Sequence, residues 1–87
     1  MFVILVYDFE EKRVGRALKI CRKYLTWVQN SVFEGEIGEA NFKKLTIELS
    51  KHMDKSADSV IIYKFQNAKY SRRETLGLIK NSQEVIL

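Results

Sequence analysis

An 87-residue chain has room for one modest core, and a single domain over residues 1–87 is the expectation. Hydrophobic residues make up 46% and charged residues 30%, a balance that excludes disorder and predicts a folded chain almost end to end. The formal charge is +4, and with one cysteine and one histidine the sequence holds neither an internal disulfide nor a Cys/His zinc site, which fits a reducing, cytoplasmic setting.

Met1 to Tyr7 is a continuous apolar, β-branched and aromatic run, expected to be a central strand covered on both faces. Asp8, Glu10 and Glu11 end it far short of a membrane span, and no membrane association is expected. From Lys12 to Val28 the apolar positions Val14, Ala17, Leu18, Cys21, Leu25 and Val28 recur at spacings of three and four, which predicts one helix. Trp27 to Ile37 is rich in strand formers with Asn30-Ser31 as a turn signal, and reads as one bent strand or a short hairpin. A second helix is expected from Gly38 or Glu39 to about Met53, burying Phe42, Leu45, Leu49 and either His52 or Met53.

The turn-rich stretch Asp54 to Ser59 precedes a strand over Val60 to Phe65. Gln66 to Glu74 reads as a basic connector, Thr75 to Ile79 as a short strand, and Glu84 to Leu87 as an apolar end that needs cover. This order predicts an α+β, ferredoxin-like βαββαβ fold with a short C-terminal strand, its two helices on one face of an antiparallel sheet. A chain so small gains from pairing, so a homodimer is expected.

Charge is clustered along the chain. Lys12, Arg13, Arg16, Lys19, Arg22 and Lys23 fall together without an acid, and Lys64, Lys69, Arg72 and Arg73 form a second basic stretch. Such segments suit a polyanion such as DNA or RNA, although solvated helix faces and loops produce the same pattern. The proposed phosphate contacts are Lys12, Arg13, Arg16, Lys19, Lys23, Lys69, Arg72 and Arg73.

Asp8 follows an apolar strand, so its carboxylate emerges at the strand end beside the first helix, where it is either a metal ligand or a helix cap or surface ion pair. Arg16 can hold a phosphate in a bidentate grip, and the Ser31 hydroxyl can bind phosphate or water. The plain alternatives are a solvated helix position and a hairpin turn. His52 lies in register with Phe42, Leu45 and Leu49 and is expected at a core or face edge. Trp27, Phe33, Tyr63 and Phe65 are expected in the core or an interface rather than stacked on bases. The four glycines form no phosphate-binding loop or nucleophile elbow.

In order, the strand ending Val6-Tyr7-Asp8, the basic helix, the segment Val28-Gln29-Asn30-Ser31-Val32-Phe33-Glu34-Gly35 and the strand Asp58-Ser59-Val60-Ile61-Ile62-Tyr63 resemble the CRISPR-associated Cas-two family over nearly the whole chain. The resemblance implies a ferredoxin-like homodimer in which the Asp8 of each chain faces the other and shares a divalent metal, magnesium or manganese. It implies a metal-dependent nuclease acting on single-stranded RNA or double-stranded DNA, with Asp8, Arg16 and Ser31 as candidate catalytic residues. It also implies a scaffold that bridges two dimers of the CRISPR-associated integrase and holds DNA during capture of new spacers. Gln29 and Phe33 are carried over as dimer-interface residues, together with Val85, Ile86 and Leu87 of a last strand that adds to the partner's sheet.

Overall fold

The computed structural model describes residues 1–65. The expectations placed on Lys69, Arg72, Arg73, the strand over Thr75 to Ile79, and Val85, Ile86 and Leu87 lie outside the described residues.

β1 (Phe2–Asp8) lies inside a four-stranded sheet. Its alternation sorts the core. Val3, Leu5 and Tyr7 face the helices, whereas Phe2, Ile4 and Val6 face the other way, and the pleat places Asp8 on that second face too. α1 (Glu11–Arg22) buries Ala17, Ile20 and Cys21, and its acid-first, base-last charge order complements the helix dipole. Burial pushes the Cys21 thiol up to about 12, which leaves it an inert core residue.

The helix stops six residues before the expected end at Val28. The Leu25 N–H donates to the Cys21 carbonyl at 2.9 Å to close the last turn, and the β-branched and aromatic run beyond it enters a strand. Leu25 is buried beside the helices and Val28 packs on the opposite sheet face, so the three-and-four spacing that suggested a longer helix comes from two elements.

The next segment is a hairpin, β2 (Thr26–Gln29) and β3 (Val32–Glu36), rather than one bent strand. Asn30 makes the turn at φ 47°, a left-handed conformation that asparagine tolerates better than most residues, and its carbonyl accepts the Trp27 indole N–H at 2.9 Å. α2 (Glu39–His52) buries Leu45 and Leu49. His52 is exposed, and Met53 takes the inward position between the two alternatives. β4 (Ser59–Phe65) pairs antiparallel with β1, and the sheet order is β2-β3-β1-β4. The described residues thus form two helices and an antiparallel sheet in the predicted ferredoxin-like order.

Both helices pack on one sheet face around Val3, Leu5, Phe33, Leu45 and Leu49. No described element covers the other face. It carries Ile4 and Val32 at its centre, ringed by Phe2, Val6, Val28 and Phe65, with Ile61 50% and Tyr63 39% exposed.

Candidate metal and nucleic-acid site

Asp8 is the last residue of β1 and stands opposite Ser59 of β4. It is exposed, and it does not cap α1, whose N-cap is Glu10 without a side-chain cap bond. Among the described residues no ion pair engages its carboxylate. Beside it a depression of about 80 Å³ is lined by Val6, Tyr7, Ser59, Ile61 and Tyr63, so the carboxylate sits at the polar end of the apolar face that no described element covers.

The turn after Asp8 is held by a charge cluster. The Asp58 side chain is wholly buried, and Arg13 meets it through Nε at 2.6 Å and through the second guanidinium nitrogen at 3.0 Å. The Glu10 and Asp54 backbone N–H groups donate to the same carboxylate at 2.9 and 2.8 Å. Arg13 also reaches Glu10 at 2.8 Å. Hydrogen bonding from Arg13 holds the Asp58 carboxyl well below the usual carboxylate range, and the same contact raises the guanidinium.

Arg13 therefore leaves the set of phosphate contacts. Its expected role in phosphate binding gives way to an internal ion pair, because a guanidinium committed to a buried carboxylate is poorly placed to grip a ligand. Lys12, Arg16 and Lys19 remain exposed and lie within roughly 60° of one another around α1. Lys23 shares that stripe but pairs with Glu48, which also accepts the Tyr24 hydroxyl. Lys64 lies over the Phe42 ring at 4.7 Å.

Ser31 occupies the hairpin turn, where its carbonyl accepts the Tyr7 N–H at 3.1 Å. Burial pushes the Tyr7 phenol up, partly offset by a hydrogen bond with the Ser31 side chain. Ser31 and Asp8 thus flank Tyr7, and no ion pair joins Asp8 to Arg16 among the described residues. Gln29 is half-buried in β2. Phe33, expected at a dimer interface, is corrected to a core residue: its exposure is 0%, and its ring stacks on Tyr7 inside the monomer. No sequence signal joins Arg13 to Asp58: Arg13 is one more base in a run and Asp58 one more polar residue in a turn.

The described residues contain no group of three metal-ligating side chains. Asp8 and the nearby Ser59 supply oxygen donors, which suit magnesium or manganese better than zinc. Among the described residues Asp8 is the one carboxylate lining this depression, so these donors fit such a cation as part of a site completed by a second copy, water or phosphate.

The comparisons with known proteins agree with this architecture. Residues 1–73 match the family model for CRISPR associated protein Cas2. The chain is 48% identical to the CRISPR-associated endoribonuclease Cas2 of Dictyoglomus turgidum, covering 100% of both chains. It is 49% identical to the protein of the same name from Thermotoga maritima, covering 99% of each. Among solved structures, a Cas2 crystal structure superposes with TM-score 0.83 at 40% identity, covering 100% of this chain and 98% of that one. Streptococcus pyogenes Cas2 at pH 6.5 superposes with TM-score 0.77 at 34% identity, covering 88% of this chain and 100% of that one. The whole-length match, together with the shared fold, places this chain in the CRISPR-associated Cas2 family.

Proposed function

We propose that the chain acts as a homodimeric, metal-assisted endoribonuclease that cleaves phosphodiester bonds at a paired Asp8 site, in the service of CRISPR spacer acquisition. The observation that carries this reading is the exposed Asp8 carboxylate, without an ion pair among the described residues, at the edge of an apolar sheet face that no described element covers and that leaves Ile61 and Tyr63 open. Burying that face against a second copy removes Ile61, Tyr63 and Val6 from water and brings two Asp8 carboxylates toward one axis. A magnesium or manganese ion held there supplies Lewis acidity toward the phosphodiester.

Asp8 would hold the cation. Lys12, Arg16 and Lys19 bind the nucleic-acid backbone without reading bases. The names of the Dictyoglomus and Thermotoga relatives support ribonuclease activity, and duplex DNA is the alternative substrate.

A second reading is a scaffold that bridges integrase dimers and holds DNA without cutting it. The basic stripe on α1 supports it, since exposed cations that grip a phosphate backbone serve a scaffold as well as an enzyme. One assay separates them: wild type and Asp8→Asn are compared on single-stranded RNA and duplex DNA with magnesium, manganese and chelator. The enzyme reading expects metal-dependent cleavage that Asp8→Asn loses while remaining folded and dimeric. Cleavage by Asp8→Asn at the wild-type rate refutes the site. Absence of cleavage by both, with integration intact, establishes the scaffold.

A further inference from the structure

Asp58 is the buried charged residue of the described chain, and its side chain is wholly closed to solvent. Its carboxylate takes four hydrogen bonds, two on each oxygen. Oδ1 accepts from the Glu10 N–H and the Arg13 guanidinium, and Oδ2 accepts from Arg13 Nε and the Asp54 N–H. The donors come from the turn after β1, the first turn of α1 and the loop after α2, so one carboxylate joins three segments.

Asp8 lies between two of those anchors. It is two residues before Glu10, and across the ladder it pairs with Ser59, the residue next to Asp58. A buried ion pair is a poor choice for stability alone, since a well-packed apolar group of similar volume often serves as well or better. Four directed hydrogen bonds supply something an apolar side chain cannot, namely a fixed orientation for the backbone that carries them.

We propose that Asp58 is a positioning residue for Asp8. Its carboxylate, working through the Glu10 amide and Arg13, locks the turn from Asp8 to Glu11 against the start of β4 and so presents the Asp8 carboxylate to a divalent cation in one place. The inference rests on the metal reading of Asp8 given above. Asp58 touches neither cation nor substrate, and its effect reaches the site only through the backbone.

The test measures Mn²⁺ binding to the full-length protein by calorimetry, alongside amide hydrogen exchange at residues 8–11. Asp58→Asn keeps the shape but turns one acceptor into a donor that faces N–H groups. Mn²⁺ affinity should fall about 10- to 100-fold, the range seen when groups that orient metal ligands are removed. Exchange at residues 8–11 should quicken. Half-maximal Mn²⁺ for cleavage should rise by the same factor, with the rate at saturating Mn²⁺ changing by less than about twofold, a split that general destabilisation does not produce.

If Asp58→Asn does not fold, Glu10→Pro and Glu10→Ala replace it. Both lose the side-chain contact with Arg13, but only proline removes the N–H that Asp58 accepts, and the Glu10 φ of −61° suits proline. Glu10→Pro should then bind Mn²⁺ more weakly than Glu10→Ala, with faster exchange in the turn. Wild-type affinity in Asp58→Asn or Glu10→Pro, with binding lost in Asp8→Asn, overturns the positioning role while sparing the metal site. Wild-type affinity in Asp8→Asn overturns the metal site and the positioning role with it.

Discussion

Replacing Ile61 with alanine probes the sheet face opposite the helices directly. Ile61 pairs with Val6 across the β1–β4 ladder, keeps 50% of its surface open and lines the depression beside Asp8. Burying a whole isoleucine side chain contributes about 1.5–3 kcal/mol, so covering the open half contributes about 1 kcal/mol per chain. A two-fold interface uses the residue twice, which makes about 2 kcal/mol, or about 30-fold in the dimer dissociation constant. Alanine keeps the first carbon of the side chain, so the expected weakening is about 10- to 30-fold.

Sedimentation equilibrium over a range of protein concentrations measures that constant. Ile47→Ala is the matched control: Ile47 is 47% exposed but lies on α2, on the other side of the sheet, and its loss should leave dimerisation unchanged. An Ile61→Ala dimer as tight as wild type, or equal weakening by both substitutions, would refute the assignment of this face. A wild type that stays monomeric at micromolar concentration with and without magnesium would refute the dimer itself.

Changing Lys12, Arg16 and Lys19 to glutamine should weaken duplex DNA binding on all sequences alike and lower the slope of log affinity against log salt by about 2–3, as measured by fluorescence anisotropy. An unchanged slope would mean that the stripe is only solvated surface. Leu45→Ala, at a core position with 0% exposure, should cost about 2–5 kcal/mol in urea unfolding. For Asp58 the folded carboxyl sits below its ordinary 3.8, so its stabilising contribution is present above that pH and is lost as pH falls toward the folded value. Acid unfolding followed by circular dichroism should therefore steepen below about pH 4 in wild type and be shallower in Asp58→Asn. Glu48, which Lys23 and Tyr24 also hold low, keeps the slope from vanishing.

The central strand, the second helix and the position of Asp8 at a strand end were legible in the chain because each depends on local pattern. An unbroken apolar run suits an inner strand, although the described elements cover only its helix face, and Leu45 and Leu49 mark one helical face by spacing alone. The family was also readable, from the segments around Asp8, Gln29 to Gly35 and Asp58 to Tyr63. Local pattern failed where two elements met: Leu25 and Val28 continue the helical spacing of α1, yet a turn separates them from it and they pack on opposite sheet faces.

Only the tertiary structure could separate Arg13 from Arg16. Both are arginines in one basic run, and what distinguishes them is Asp58, 45 residues away from Arg13 in sequence and brought beside it by the β1–β4 pairing. The same holds for Phe33, whose aromatic ring suits a core or an interface equally until the hairpin register turns it toward the helices. Composition and periodicity determine which residues seek burial and which local shape they favour. Which charges meet depends on contacts between segments distant in sequence, and those exist only once the sheet has formed.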